Sequence, residues 1–121
     1  MKFFNKNKEE YKSQDGVNVI NLTPHTVNII QEDMVELMVY ESEGNARVST
    51  ESVCIGCLNG YTPIFKTKYG KVTGLPKEQE GTYYIVSMLV KQACQSRSDL
   101  LSPSQPCRDE QGRIIGCLGL E

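Results

Sequence analysis

The sequence predicts an α+β protein in which antiparallel β-strands wrap around one or two short C-terminal helices. Three observations favour this fold class. Short β-type runs separated by turn residues fill the chain from Val17 onward. Glycines recur through the middle section at intervals typical of strand ends and turns. One strong β-type run passes directly into a segment with helical periodicity, so at least one helix follows the strands.

The chain length favours a single domain. Residues 1–16 are rich in Lys, Asn, Glu and Gln and are predicted to form a flexible polar arm. Residues 17–121 are predicted to form one α+β domain. Since a domain of this size buries roughly two-thirds of its unfolded surface, little room is left for an enclosed cavity. A sizeable ligand site is therefore expected on the surface or between subunits.

Several β-strands are predicted in the first half of the domain. Residues 17–22 and 27–30 indicate two strands around a proline turn. Residues 35–40 alternate in the period-two pattern of a half-buried strand. More antiparallel sheet is expected over residues 47–75, and residues 64–75 predict a hairpin whose turn lies near Tyr69 and Gly70.

A strand over residues 82–86 is predicted to lead into a helix that Ser87 caps. Two apolar rows, Leu89 with Ala93 and Val90 with Cys94, predict a broad buried stripe on that helix. The helix is expected to end near Ser96.

The C-terminal segment is predicted to contain a short helical turn and a closing hairpin. Residues 99–101 favour a second helical turn before Pro103, whose ring disfavours continuation of a helix. Pro103 and Pro106 then predict an extended link. Residues 107–109 and 113–115 are predicted to pair as a hairpin around Gly112.

Charge and hydropathy exclude two classes of partner. With 13 basic against 15 acidic residues, the net charge of -2 disfavours sequence-independent binding to DNA or RNA polymers. No apolar run reaches the ~18 to 20 residues that cross a bilayer, and the N-terminus is too polar for a secretory signal. The chain is therefore predicted to be cytoplasmic, with no membrane partner.

The cysteines are predicted to be reduced core residues. Their odd number, five, cannot complete a disulfide framework. Cys54 and Cys57 have the two-residue gap of a metal knuckle, but no second tight pair exists, so no metal site is predicted. Free cysteine is among the most buried residue types, which favours core packing.

Catalytic motifs are lacking in the sequence. His25 is the sole histidine, and there is no P-loop, HExxH or GxSxG pattern. The protein is therefore predicted not to be an enzyme and to need no cofactor. A small hydrolase that uses His25 with a cysteine or with Asp99 is the remaining enzymatic alternative.

Three of the four arginines, Arg97, Arg108 and Arg113, lie in the C-terminal third of the chain. A guanidinium binds phosphate bidentately and stacks on nucleobases, which makes these residues candidates for an anionic ligand. The alternative is local ion pairing, of Arg97 with Asp99 and of Arg108 or Arg113 with Asp109 or Glu110.

A set of short motifs resembles a family of small phage-encoded proteins. They are INLTPHTV at 20–27, YG at 69–70, GLP at 74–76, YIVS at 84–87, RSDLL at 97–101 and RDEQGR at 108–113. The resemblance covers residues 17–118, and some of the phage proteins that the chain resembles belong to the first Thoeris anti-defence family. Proteins of that family are sponges that sequester the cyclic ADP-ribose signal of bacterial TIR enzymes, and some relatives also take up cyclic oligonucleotides.

The resemblance implies a sponge that binds an intact cyclic nucleotide in the cytoplasm of an infected or lysogenic bacterial host. Such a ligand needs donors for phosphate, a surface that stacks on the base, and partners for ribose hydroxyls. The candidates for these tasks are the arginines Arg97, Arg108 and Arg113, the aromatic residues Tyr84, Tyr83 and Phe65, and the polar residues Asn21, Thr23, His25 and Asp99.

Small size also predicts that the sites lie at subunit interfaces of a homo-oligomer. The alternative function is that of a small phage structural or protein-interaction module with no nucleotide ligand.

Overall fold

The computed structural model describes residues 13–121, of which 52% lie in strands and 6% in one short helix. The elements are β1 (Asn18–Asn21), β2 (Val27–Ile30), β3 (Glu36–Tyr40), β4 (Arg47–Leu58), β5 (Thr62–Thr73), β6 (Thr82–Ile85), α1 (Met88–Ala93), β7 (Leu100–Leu101), β8 (Pro103–Arg108) and β9 (Ile114–Leu120). The fold is therefore mostly β, and the predicted α+β class with strands wrapped around C-terminal helices is wrong. Most of the predicted polar arm, residues 1–12, lies outside the described residues.

The strands form three sheets. A parallel sheet has the order β1-β6-β7, and a mixed sheet has the order β3-β2-β9-β8. Strands β4 and β5 form a separate antiparallel hairpin of two 12-residue strands. The strands predicted over residues 17–22 and 27–30 are confirmed in position, but they belong to different sheets and do not pair with each other.

Strand β6 divides the core into two clusters because successive side chains of a strand point to opposite faces. Tyr84 packs on one side with residues that include Leu22, Val86 and Val90. Ile85 packs on the other side with Val27 and Cys117. One face of the parallel sheet is therefore covered by helix α1 and the base of the hairpin, and the other face is covered by the mixed sheet.

Helix α1 begins where the sequence predicts but is shorter. The Ser87 hydroxyl accepts a hydrogen bond from the Val90 N–H at 3.3 Å, which confirms the predicted cap. Val90 is buried, whereas Leu89 is 48% exposed, so one of the two predicted apolar rows faces solvent. The helix ends at Ala93 rather than near Ser96.

The second helical turn predicted over residues 99–101 is wrong, because this segment joins the parallel sheet as β7. Backbone carbonyls of this segment accept hydrogen bonds from β6 and from the residue that follows it. The Tyr84 N–H donates to the Asp99 carbonyl at 2.9 Å, and the Val86 N–H donates to the Leu101 carbonyl at 2.8 Å. The extended link predicted at Pro103 and Pro106 is strand β8, at the edge of the mixed sheet, where proline is tolerated.

The hairpin turn predicted near Tyr69 and Gly70 is also displaced. The chain turns at Asn59 and Gly60, whose φ angles of 54° and 80° match a type I′ turn, and Gly70 lies within β5. The predicted closing hairpin is confirmed, since β8 and β9 pair antiparallel around a turn that contains Gly112.

The prediction that Cys54 and Cys57 are core residues is wrong, because both lie exposed near the end of the β4–β5 hairpin. Cys117 is buried, and burial raises the pKa of its thiol. No helix within residues 13–121 has the length and apolar character to cross a bilayer.

These exposures predict unequal thiol chemistry. We expect a maleimide at neutral pH to modify Cys54 and Cys57 first and Cys117 last, because the thiolate is the reactive form and burial disfavours it. Mass spectrometry of samples taken over time reports the order in which the thiols react.

Replacing Cys54 and Cys57 together by alanine is expected to change the free energy of unfolding by less than about 0.5 kcal/mol. A loss of several times that amount would show that the two thiols are packed.

Candidate functional site

A surface groove of about 770 Å³ lies between the loop that precedes β2 and the β8–β9 hairpin. Its lining is mainly apolar and comprises Thr23, Pro24, His25, Thr26, Val27, Asn28, Ser87, Pro103, Pro106, Ile114, Ile115, Gly116 and Cys117. Apolar walls with a few polar groups, at a volume of roughly 300 to 1,000 Å³, are typical of small-molecule sites. The groove is therefore the candidate ligand site.

Asn21 shapes one rim of the groove. Its side chain is fully buried, and its Nδ2 donates to the backbone oxygens of His25 at 2.7 Å and of Tyr40 at 2.9 Å. Its Oδ1 accepts from the Thr23 N–H at 2.9 Å and from the Thr23 hydroxyl at 2.7 Å. Because these bonds occupy both ends of the amide, Asn21 positions the loop and has no free group for a ligand.

Thr23 and His25 are the predicted site residues that line the groove. The Thr23 hydroxyl donates to Asn21 Oδ1 and also lies 3.0 Å from the His25 carbonyl, so it helps to close the loop. The His25 residue is exposed, and its backbone carbonyl is the part that the loop uses. His25 therefore keeps its imidazole available to a bound molecule.

Arg97, Asp99 and Tyr84 come together away from the groove. Arg97 Nε and Nη2 contact the two carboxylate oxygens of Asp99 at 2.9 and 2.7 Å, and Nη1 donates to the Pro76 carbonyl at 2.8 Å. The hydrogen bonds to Asp99 raise the pKa of Arg97. This arrangement is the local ion pair that the sequence offered as the alternative.

Tyr84 cannot offer its ring to a base in this arrangement, because the residue is 2% exposed. The Arg97 guanidinium lies 6.0 Å from the ring centroid, so the ring contacts an arginine of the same chain. Asp99 is buried at 7% exposure and borders a different, smaller hollow with Glu78 and Glu80. These three predicted ligand residues thus form a structural cluster.

Arg108 and Arg113 flank the turn of the β8–β9 hairpin. Asp109 organises this turn: its carboxylate accepts from the backbone N–H groups of Gln111 and Arg113 and from Arg113 Nε at 2.8 Å. The backbone bond from Arg113 is the main cause that lowers the pKa of Asp109. Arg108 Nη1 donates to the Gly112 carbonyl at 2.8 Å.

Both hairpin arginines remain open to solvent. The Arg113 side chain is 74% exposed, so its pairing with Asp109 is a weak, screened contact. Arg113 directly precedes Ile114, which lines the groove. Of the three predicted phosphate-binding arginines, Arg113 is therefore the one adjacent in sequence to the groove, and Arg97 is engaged elsewhere.

Sequence reasoning missed the far wall of the groove, formed by Pro103, Pro106 and residues 114–117. These residues face the 23–28 segment because β2 and β9 pair in parallel, with Ile29 opposite Cys117. Pro103 and Pro106 are the signal in the sequence that points to this wall, since two prolines on one short strand place that strand at a sheet edge.

Together these features define a small, mostly β protein with one rim of its groove built by the segment around Asn21. No protein family, curated protein or solved structure matched the chain when each was compared with it. Within residues 13–121, no three metal-ligating side chains cluster. Function is therefore inferred from the groove and its chemistry.

Proposed function

We propose that the protein binds an anionic cyclic nucleotide in the groove and sequesters it without cleavage, as a phage anti-defence sponge in the cytoplasm of a bacterial host. One observation carries the proposal. The segment at 20–27, one of the motifs that carry the resemblance, folds around Asn21 into the rim of a groove of ligand size. The proposed ligand is glycocyclic ADP-ribose, and cyclic oligonucleotides are the second ligand class.

The lining supports this chemistry. Pro103, Pro106 and Ile114 supply apolar surface against which a nucleobase packs, and Thr26 and His25 supply polar groups for ribose hydroxyls. Arg108 and Arg113, on the adjoining turn, supply the guanidinium groups that phosphate oxygens prefer. A shift of the exposed Arg113 from Asp109 to a ligand phosphate exchanges one anionic partner for another.

Binding without cleavage is consistent with the state of the nearby nucleophiles. Cys117 lines the groove, but burial raises the pKa of its thiol, and the thiolate is the nucleophilic form. Asp99, the other candidate partner for His25 in a hydrolase, is held by Arg97 and borders a different hollow. The hydrolase alternative therefore has less support than sequestration.

The proposal includes a homo-oligomer with its sites at subunit interfaces. Small-molecule sites typically bury ~70 to 90% of the ligand surface. A nucleotide lying in a groove on the surface of one subunit reaches that burial when a second subunit covers it.

A thermal-shift panel tests the proposal directly. Cyclic ADP-ribose isomers and cyclic di- and trinucleotides are added to the full chain, and a true ligand at a thousandfold excess over Kd stabilises the fold by about 4 kcal/mol. The ligand recovered from the heat-denatured complex is expected to be unmodified on chromatography. Recovery of a linear or hydrolysed product would identify an enzyme, and no shift with any compound would favour the interaction module.

A groove-filling variant assigns the binding to this site. Thr26→Trp is expected to abolish the ligand-dependent shift by filling the groove, whereas Thr73→Trp, at another exposed threonine at the base of the hairpin, is expected to keep it. Both variants are compared by isothermal titration with the best compound of the panel. Equal binding by the two variants would place the ligand elsewhere.

A further inference from the structure

The end of the β4–β5 hairpin is a large exposed apolar surface. Strands of 12 residues extend about 40 Å. Val48 and Val72, near the base, pack against the core, but the far end, residues 54–65, does not. This hairpin tip exposes Ile55, Leu58, Tyr61, Ile64 and Phe65 by 38% to 77%. Along β5, Ile64, Lys66 and Lys68 alternate with Phe65, and Leu58 pairs with Thr62, so Leu58 and Ile64 share one face of the tip with the two lysines, and Phe65 lies on the other face. Each face presents on the order of 300 Å² of apolar area, within the range of the largest patch found on a typical monomer.

The hairpin is also basic, while the rest of the described chain is acidic. Strands β4 and β5 carry four basic side chains, Arg47, Lys66, Lys68 and Lys71, against the single acidic residue Glu51, a net charge of +3. Residues 13–46 and 74–121 carry twelve acidic and five basic side chains, a net charge of -7. The hairpin of one molecule is thus electrostatically complementary to the body of another.

A second apolar surface lies on β3, at one edge of the mixed sheet. Met34, Val35, Leu37 and Met38 are each exposed by about half, between 47% and 52%. We call this surface, with the neighbouring Glu36, Glu41 and Glu43, the β3 edge. Beside it, Val19, Met38 and Tyr40 help to line a hollow of about 380 Å³ that Glu41 and Glu43 border. The β3 edge therefore combines apolar area with negative charge.

The two edge strands of the mixed sheet, β8 and β3, differ in how well they can pair with an added strand. Strand β8 carries Pro103 and Pro106, which lack the N–H groups that an added strand needs. Strand β3 has no proline, and its exposed side chains are mainly apolar. An edge with these features is open to pairing, and proteins that remain monomeric usually block such edges.

We propose that the hairpin tip of one chain docks on the β3 edge of a second copy, with Lys66 and Lys68 near the glutamates of that edge. Each surface supplies what the other lacks, since the tip is apolar and basic and the edge is apolar and acidic. Two tips exchanged around a two-fold axis, each docking through one face, bury on the order of 600 Å², and the receiving surfaces bury a similar area. The total of about 1,200 Å² reaches the lower limit of the roughly 1,200 to 2,000 Å² that a stable interface buries. This inference does not depend on the ligand of the groove.

Light scattering after size exclusion, on the full chain without ligand, tests the contact. The wild type is expected to be a dimer or a larger assembly. Leu58→Ser combined with Ile64→Ser, on the face that carries Lys66 and Lys68, is expected to give a monomer with an unchanged circular dichroism spectrum, because both side chains are exposed. Leu89→Ser is the matched control, since Leu89 is 48% exposed on helix α1, outside the hairpin tip, the β3 edge and the groove, and it is expected to stay associated. A monomeric wild type, or a tip variant that remains associated, would overturn the proposal.

Charge reversal tests the receiving surface. Lys66→Glu with Lys68→Glu is expected to dissociate the assembly, and so is Glu41→Lys with Glu43→Lys. Because every chain supplies both a tip and an edge, the chain with all four changes is expected to reassociate. Failure of the four-fold variant to reassociate, while its melting temperature matches the wild type, would contradict the β3 edge as the receiving surface. If a different protein, added to the monomeric variants, formed a complex with them of the wild-type mass, that result would also count against self-association.

Discussion

Replacing Asn21 by alanine is expected to lower the free energy of unfolding by about 2 to 3 kcal/mol, because four hydrogen bonds of a fully buried side chain are lost at once. Asn21 is fully buried and joins the end of β1 to the loop at 23–25 and to Tyr40 of β3. Alanine leaves the carbonyls of His25 and Tyr40 and the Thr23 N–H without these partners. A buried polar group that loses its partner costs about 1 to 3 kcal/mol, and water offsets part of that cost here because these backbone groups are only partly buried.

Urea denaturation followed by far-ultraviolet circular dichroism measures this loss, since the chain has no tryptophan. Asn18→Ala is the matched control: Asn18 begins the same strand but is exposed, so its replacement is expected to change stability by less than about 0.5 kcal/mol. If Asn21→Ala were as stable as Asn18→Ala, the hydrogen bonds described for Asn21 would not hold the loop. If it were stable and lost ligand binding, Asn21 would be a ligand contact after all.

The role of Asn21 shows what a motif does and does not reveal. The sequence predicts a ligand contact for Asn21, Thr23 and His25, and the structure places Thr23 and His25 on the groove but buries Asn21 beneath it. A short polar residue ahead of a proline turn is compatible with either role. The distinction depends on Tyr40, which lies 19 residues later and accepts one of the amide protons.

Local patterns predict the local elements well. The positions of β1, β2 and β3, the Ser87 cap and the closing hairpin are all predictable because period-two alternation, a capping hydroxyl and a turn glycine act within a few residues. The turn predicted at Tyr69 and Gly70 is wrong for an equally local reason. The Asn59 and Gly60 pair is the stronger hairpin signal, since asparagine followed by glycine suits the two positive φ angles of a type I′ turn.

The arrangement of the sheets is not predictable in the same way. Strand β1 pairs in parallel with β6, placing Asn18 opposite Thr82, and no local pattern specifies a partner so distant in sequence. The two-residue strand β7 exists because β6 offers it backbone partners, so Leu100 and Leu101 alone are ambiguous between helix and strand. The far wall of the groove depends on the same long-range pairing, which is why the sequence predicts only the near wall.

Arg97→Lys is expected to destabilise the protein even in the absence of ligand, by about 1 to 2 kcal/mol. All three guanidinium nitrogens of Arg97 are engaged, two with Asp99 and one with the Pro76 carbonyl. A lysine ammonium keeps the charge but cannot reproduce the planar fork that meets both carboxylate oxygens. The pair is largely shielded, with 17% and 9% of the two side chains exposed, so water replaces the lost bonds poorly.

Asp99→Ala is expected to cost more, about 2 to 4 kcal/mol, because it leaves a mostly buried guanidinium without its counter-ion. Thermal and urea unfolding of Arg97→Lys, Asp99→Ala and the double variant complete a double-mutant cycle, whose coupling energy measures the interaction between the two side chains.

Arg113→Lys is the matched control, since that side chain is 74% exposed and its replacement is expected to leave the melting temperature without ligand unchanged within error. The two arginines are then expected to separate in ligand titration: Arg113→Lys weakens binding without loss of stability, and Arg97→Lys loses stability without a specific loss of affinity. The reverse result would move the phosphate site from the β8–β9 turn to Arg97.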